Sequence, residues 1–203
     1  MMKFFFHLVF FHIILIHLFS QNIDINLLRK LNLNRNAKFD NSFRFITNTK
    51  SFVTLGVISG LASYSILKKD SVVCHKTLFI ASSVLIAVCI SNGLKYIVNR
   101  PRPYIDYPEI QKLSVGGSPS FPSGHTSEAF SVATALSIKY PRWYIIAPAF
   151  IWASAVGYSR LHLGVHYPSD VLAGAFIGSS SVLLNKWINN KILYKKKYVK
   201  VVN

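Results

Sequence analysis

Five apolar segments follow one another along this chain and constrain its fold more than any other feature. They are residues 51–67, 77–94, 125–138, 143–158 and 171–188. Each continues into a polar block at its end, which brings it towards the roughly 20 residues that a helix needs to cross a bilayer. A hydrophobic fraction of 51% with only 15% charged residues also argues against a soluble globule. The sequence therefore predicts an all-α fold, a polytopic membrane bundle of five to six transmembrane helices.

The two ends of the chain differ from this middle part. Residues 1–20 are apolar and are interpreted either as a signal peptide or as a first transmembrane span. Residues 21–50 are polar and basic with apolar side chains at helical spacing, which predicts an interfacial amphipathic segment on the membrane surface. Residues 191–203 form a basic tail, expected in the cytoplasm. The functional domain should therefore lie within residues 51–190.

The strong positive charge of the chain, +16 from 23 Lys and Arg against 7 Asp and Glu, has two candidate explanations. A nucleic-acid-binding protein usually places its basic residues on one soluble face among stacking aromatics. Here many of them flank the apolar segments, where anionic headgroups and the positive-inside bias account for them. We therefore expect the lipid bilayer, and no nucleic acid, as a partner. The sequence does not fix an oligomeric state.

The basic loops also predict an orientation. If the apolar segments alternate in direction, Lys68, Lys69 and Lys76 fall on one side together with the 139–142 turn and the C-terminal lysines. That side should be cytoplasmic, and the polar blocks at the other segment ends should face outward. With a signal-like start, this predicts an integral protein of a bacterial inner membrane whose site faces the periplasm. The basic residues of 21–50 break the rule unless that segment lies in the interface.

The first of three polar blocks holds two cations that proline keeps rigid. Lys95 and Arg102 are seven residues apart at the exit of an apolar segment, and Arg102 lies between Pro101 and Pro103. Cations at a membrane border are commonly snorkelling anchors. An anchor needs no rigid backbone, so the prolines favour binding of phosphate oxygens by the Arg102 fork and the Lys95 charge. Arg100 is expected to face lipid headgroups.

The second block, Pro122-Ser123-Gly124-His125, directly precedes an apolar segment. Proline is favoured at the first helical position, so the block should open a helix. The amides of Ser123 and Gly124 would then point outward and form an anion site, with His125 beside the bound anion. From this block alone, a capping or interface histidine is an equal alternative.

The third block places a histidine four residues before a carboxylate. Arg160 ends one apolar segment, Pro168 can open the next, and Asp170 lies in the first turn of that helix. Asp170 can accept the Nδ1–H of His166, fix its tautomer and leave Nε2 free to attack. The alternatives are a capping role for Asp170 and a metal site with His162, but Pro168 breaks the helix that such a metal face requires. We therefore expect no metal and no cofactor.

Taken in order, these blocks resemble the three signature motifs of the type 2 phosphatidic acid phosphatase (PAP2) family, which shares its catalytic core with vanadium haloperoxidases. The pattern of Lys, six residues and Arg-Pro corresponds to residues 95–103, and Pro-Ser-Gly-His corresponds to residues 122–125. The pattern of Ser-Arg, five residues, His, three residues and Asp corresponds to residues 159–170. Every signature position matches, and three ordered motifs are far more specific than one short pattern. The resemblance covers about residues 51–188.

The resemblance implies an all-α membrane bundle and a metal-independent hydrolysis through phosphohistidine. His166 would attack phosphorus, Asp170 would orient it, and His125 would protonate the leaving oxygen and then activate water. The phosphoryl oxygens would be held by Lys95, Arg102, Ser123, Gly124 and Arg160.

Three functions are compatible with these blocks. The first is a lipid phosphate or diphosphate phosphatase, because motifs at span ends suit a substrate whose tail stays in lipid. Candidate substrates are undecaprenyl diphosphate, phosphatidylglycerophosphate, phosphatidic acid and lipid A phosphates, with head selectivity expected in the 104–121 loop. The second is a vanadate-dependent haloperoxidase, although such enzymes are soluble and larger. The third is a non-catalytic phospholipid-headgroup-binding membrane protein or a small transporter, which gives no reason for the His166–Asp170 pair.

Overall fold

The computed structural model describes residues 23–202, with side chains described for residues 23–191. The regular elements of this part of the chain are all helices. Residues 23–32 form α1, and a 3-10 turn (Ala37–Phe39) leads to α2 (Asp40–Leu67) and α3 (Ser71–Val98). The short α4 (Pro103–Asp106) is followed by α5 (Gly124–Lys139), α6 (Trp143–His162) and α7 (Pro168–Val202). The predicted all-α bundle is confirmed. Residues 1–20, predicted as a signal peptide or a first span, lie outside the described residues.

Three helical stretches of the described part are long and apolar enough to cross a membrane. They are Ala37–Leu67, Ser71–Asp106 and Pro168–Lys191. The predicted basic tail, residues 191–203, continues α7 as helix as far as Val202. Its cytoplasmic location stays a prediction.

α5 is the central helix of the bundle and contacts α2, α3, α6 and α7. Its buried residues are mostly alanine and serine, so its neighbours approach closely. α7 comes nearest: a Cβ added at Gly174 would lie 2.6 Å from the carbonyl oxygen of Ser123, and one at Gly178 would clash with that of Ser127. Only glycine fits at these two positions, in keeping with the small residues that membrane helices use where their backbones meet.

The α2–α3 and α5–α6 turns lie at the same end of the bundle. The Lys76 ammonium lies 4.5 Å from the centre of the Tyr140 ring, and the Lys139 ammonium lies 3.8 Å from that of Phe79. The three polar blocks meet at the opposite end, which we call the motif end. The predicted clustering of basic turns away from the motifs therefore agrees with the structure.

Helix termini direct the polar blocks into the motif end. Asn99 ends α3 in the left-handed conformation (φ 45°), which asparagine tolerates better than most residues. Arg102 is extended, and Pro103 then opens α4. Pro168 opens α7 in the same way and places Asp170 in the first turn, as predicted.

Residues 21–50 were predicted to form an interfacial segment, but part of this segment packs against protein. α2 begins at Asp40 and runs without a break into the first apolar segment. In α1, Ile25 and Leu28 are buried and pack on Leu161 and Tyr167 of the third polar block. The apolar spacing did predict helices, but spacing alone does not distinguish a face covered by protein from a face covered by lipid.

Candidate active site

A cavity of about 320 Å³ lies at the motif end of the bundle. Its walls come from α2, α3, α5 and α6 and from the loops that precede α5 and α7. Six of the eight predicted site residues line it: Lys95, Arg102, Gly124, His125, Arg160 and His166. The other two, Ser123 and Asp170, are fully buried behind this wall.

Three buried cations face this cavity, and we call Lys95, Arg102 and Arg160 the inner cations. Their exposed fractions are 7%, 5% and 1%. None of the ion pairs found among the described residues involves them. A buried charge is costly unless it is paired, so this concentration of positive charge favours an anionic ligand.

The hydrogen bonds of the two inner arginines go to neutral oxygens. Arg102 donates from Nε to the Ser118 carbonyl and from Nη1 to the Val165 carbonyl, both at 2.8 Å. Arg160 donates from Nη1 to the Thr47 hydroxyl at 2.7 Å. The Nε of Arg160 is buried and has no hydrogen-bond partner within the described residues. An unsatisfied buried N–H costs about 1–3 kcal/mol, which a phosphoryl oxygen in the cavity would recover.

His166 stands in the cavity wall with its two ring nitrogens in different environments. Nδ1 lies 3.4 Å from Oδ2 of Asp170, and Nε2 lies 3.4 Å from Nη1 of Arg102. A proton on Nδ1 directed at Asp170 leaves the Nε2 lone pair on the cavity side. Burial lowers the pKa of His166 to about 4, although the hydrogen bond with Asp170 opposes this shift. The imidazole is therefore neutral at pH 7, which is its nucleophilic form.

Asp170 is fully buried and accepts several hydrogen bonds besides that of His166. Its Oδ2 accepts from the Ser120 hydroxyl (2.5 Å) and the Tyr167 amide (2.9 Å), and its Oδ1 pairs with Arg100 at 2.8 Å. The expectation that Arg100 faces lipid headgroups is wrong. Its guanidinium turns inward because a buried carboxylate requires a charged partner.

The second polar block opens α5, but only part of it faces the cavity. The Ser123 amide donates to the Asp170 carbonyl (2.9 Å), and the Ser123 hydroxyl accepts from Thr126 (2.9 Å). Ser123 therefore ties α5 to α7 and does not belong to the described cavity lining, which differs from its predicted phosphate-binding role. Gly124 and His125 do line the cavity, so an anion there would meet the N-terminus of α5.

An ion pair that the sequence did not predict also lines the cavity. Lys50 Nζ lies 2.6 Å from Oε2 of Glu128, which follows His125 by one helical turn. A signal was present, because a carboxylate inside an apolar segment is costly and commonly functional. This pair places polar groups on the side of the cavity that His125 occupies.

The alternative metal site is not assembled. No group of three or more His, Cys, Asp or Glu in the described part of the chain could hold a metal ion. The Nε2 of His162 instead lies 2.8 Å from Oδ1 of Asp40, at the start of α2. His162 therefore holds α2 against α6.

The geometry of the cavity and the three motifs can now be compared with known proteins. The family model of the PAP2 superfamily matches residues 76–193, more than half of the chain. The chain belongs to the PAP2 superfamily. The family predicted from the motifs is thereby confirmed, and the PAP2 match begins in α3 and ends in α7.

Two named phosphatases and a solved PAP2 structure resemble this chain. The lipid A 4'-phosphatase of Bacteroides thetaiotaomicron is 34% identical over 46% of this chain, which spans only 42% of that relative. The undecaprenyl-diphosphatase of Sulfolobus acidocaldarius is 30% identical over 79% of this chain and 76% of its own length. A transmembrane PAP2 type phosphatidylglycerolphosphate phosphatase from Bacillus subtilis matches with a TM-score of 0.70 and 28% identity, over 91% of this chain and 94% of that chain.

Proposed function

We propose that this protein hydrolyses a lipid phosphate monoester or diphosphate, without a metal, through a phosphohistidine intermediate. The observation that carries the proposal is a cavity with three buried cations unpaired by any described carboxylate and the His166–Asp170 pair in its wall. The cations bind and neutralise a phosphoryl group, and the imidazole is placed to attack it.

The proposed reaction has two displacement steps. In the first, the Nε2 lone pair of His166 forms a bond to phosphorus while the bond from phosphorus to the lipid oxygen breaks. His125 gives that oxygen its proton, and Asp170 stabilises the positive charge on His166. In the second, His125 takes a proton from water, the resulting oxygen attacks phosphorus, and the P–N bond breaks to release phosphate.

The substrate class follows from the place of the cavity and from the relatives. The cavity lies at the end of membrane-spanning helices and is large enough for a phosphorylated head but not for a lipid tail. Relatives named for lipid A and for undecaprenyl diphosphate support lipid monoesters and lipid diphosphates as the two classes. Phosphatidylglycerophosphate and phosphatidic acid complete the candidate set.

A matched pair of histidine variants tests the chemistry. His166→Ala and His162→Ala each remove an imidazole that is 2% exposed, but only the first faces the cavity. Phosphate release is measured in detergent with EDTA present on undecaprenyl diphosphate, phosphatidylglycerophosphate, phosphatidic acid and lipid A. We expect His166→Ala to lose about 10⁴-fold or more, and His162→Ala to stay within about tenfold of wild type.

Other results would point to other functions. Activity that survives in His166→Ala, or that EDTA abolishes, excludes the proposed mechanism. Retained lipid binding with no phosphate release from any lipid indicates a headgroup-binding protein. Bromide oxidation that depends on vanadate and peroxide would indicate a haloperoxidase.

The proposed orientation places the motif end in the periplasm of a bacterial inner membrane. The support is the basic α2–α3 turn, with Lys68, Lys69 and Lys76 at the opposite end. In a variant without the free Cys74 and Cys89, Gly117→Cys should react with an impermeant maleimide on intact spheroplasts. In the same background, Lys69→Cys should react only after lysis. The reverse pattern would place the motif end in the cytoplasm.

A further inference from the structure

We infer that α1 is a positioning element for the reaction, because its Asp24 acts through Arg100 on the carboxylate of Asp170. The inference rests on the proposed hydrolysis and assigns a role to a helix outside residues 76–193, the part that the PAP2 model matches. Asp24 and Arg100 are positioning residues, since neither lines the described cavity.

Arg100 bridges two buried carboxylates. Its Nη1 donates to Oδ1 of Asp170 at 2.8 Å, and its Nη2 donates to Oδ2 of Asp24 at 2.8 Å. The guanidinium carbon lies 3.7 Å from the centre of the Tyr167 ring, which closes one face of the fork. Asp24 is 6% exposed and Asp170 is 0% exposed, so both carboxylates depend on this arginine for charge compensation.

Asp24 also holds the first turn of α7. Its Oδ1 accepts a hydrogen bond from the Ser169 amide at 2.8 Å, and its Oδ2 accepts one from the Ser169 hydroxyl. The Ser169 hydroxyl in turn lies 2.7 Å from Nη1 of Arg100. A carboxylate from α1 therefore caps the helix that carries Asp170.

This arrangement decides which edge of Asp170 faces the nucleophile. Arg100 occupies Oδ1, so Oδ2 is left for the Ser120 hydroxyl and for Nδ1 of His166. A rotated carboxylate would offer His166 a different acceptor geometry and a different tautomer preference. Asp24, by fixing Arg100, fixes the orientation of the catalytic pair.

The other end of α1 is fastened to the same block. The Asn32 amide donates to the backbone carbonyls of His162 (2.9 Å) and Gln111 (3.2 Å), and it accepts from the Gln111 amide (2.8 Å). Between these polar ends, Ile25 and Leu28 are buried against the third polar block. α1 is thus held at both ends and along its length, as a positioning element must be.

The experiment compares two variants of α1 in two backgrounds. Asp24→Asn removes a charge that holds Arg100. The control Arg29→Met removes the ion pair of α1 with Glu109, which does not reach Asp170. We expect Asp24→Asn to lower kcat about tenfold with KM within about twofold, and Arg29→Met to leave both within about twofold.

The second background separates positioning from a general loss of stability. If Asp24 acts through Asp170, Asp24→Asn should change kcat by less than about twofold once Asp170→Asn is present. Independent tenfold losses in both backgrounds, or an equal loss in Arg29→Met, would overturn the inference. If Asp24→Asn does not fold, Ser169→Ala replaces it, because this change removes only the bridging hydroxyl. We expect Ser169→Ala to give the same non-additive pattern with Asp170→Asn. Additive losses would overturn the inference. Failure of the proposed hydrolysis would show separately, as a wild type without activity.

Discussion

The motif end contains two groups of cations that differ in their partners. The inner cations bond to neutral carbonyl and hydroxyl oxygens and converge on one cavity. The outer arginines each pair with a carboxylate within 3.0 Å; they are Arg29 with Glu109, Arg35 with Asp40, and Arg100 with Asp24 and Asp170. The outer group holds the structure together, whereas the inner group retains charge for a ligand.

Arg100 and Arg102 show how sharp this difference is. Only Pro101 stands between these two residues in the sequence, and each forms short hydrogen bonds with the third polar block. Arg100 donates to the Asp170 carboxylate of that block, whereas Arg102 donates to the Val165 carbonyl and lies beside His166. Residue type alone therefore does not distinguish an arginine held by carboxylates from one without a charged partner, but the hydrogen-bond partners do.

The largest difference between the two groups of cations is expected when one cation of each group is removed. Arg160→Met deletes a guanidinium whose Nε has no acceptor among the described residues. We expect kcat/KM to fall about 10²–10³-fold, because the cation stabilises charge in the transition state. Arg29→Met, the matched outer change, should stay within about twofold. Similar losses in the two variants would break the distinction between the groups.

The pH dependence should report the protonation of His166, the proposed nucleophile. In the proposed mechanism the neutral form of His166 attacks, and burial lowers its pKa to about 4. With p-nitrophenyl phosphate, whose leaving oxygen needs no proton from His125, we therefore expect kcat/KM to be level between pH 7 and about 5. It should fall about tenfold per unit below pH 4, as protonation removes the lone pair. Asp170→Asn removes a partner that raises this pKa and should shift the fall to lower pH. An acid limb near the ordinary value of about 6.5 would contradict a buried nucleophile.

Inorganic phosphate should stabilise the folded protein through the inner cations. At about 100 times its Kd, a ligand that binds only the folded state adds about 2.7 kcal/mol, which raises the unfolding temperature by about 5–10 °C for a chain of this size. We expect Arg102→Met to lose most of this shift in a thermal scan in detergent, and Arg29→Met to keep it. An undiminished shift in Arg102→Met would place the anion elsewhere.

The smallest effect is expected at the most exposed outer pair. Arg29 and Glu109 are joined at 2.7 Å, but their side chains are 38% and 42% exposed. Exposed pairs of this kind contribute little, so Glu109→Gln should change the unfolding temperature by less than about 2 °C. A drop of more than about 5 °C would show that this pair contributes more to the stability of the fold than its exposure indicates.

The sequence was sufficient to predict the inner cations and the His166–Asp170 pair. Their residue types stand at span ends with a spacing that brings them to one side of the membrane, and the helix start at Pro168 follows from local propensity. Alternation of the apolar segments then places all three blocks at the same end. Local rules and topology agree there, which is why the prediction succeeds.

The parts that the sequence did not predict depend on distant contacts. Asp24 meets Ser169 across 145 positions, and nothing in the spacing of α1 indicates that partner. The Ser123 amide was expected to face an anion. It instead donates a hydrogen bond to the Asp170 carbonyl, because the backbone of α7 lies close to it. Arg100 differs from Arg102 only in which way its side chain turns, and tertiary packing decides that.

The glycine contacts between α5 and α7 have a mechanical consequence. His125 lies in the first turn of α5 and His166 lies two residues before α7, while Gly174 brings the two backbones into contact. The two imidazoles are therefore held at a fixed separation. The α5–α7 contact, the seam between these two helices, provides no hinge between them. The part of the cavity wall that carries Lys50 of α2 and Val88 of α3 lies outside this seam.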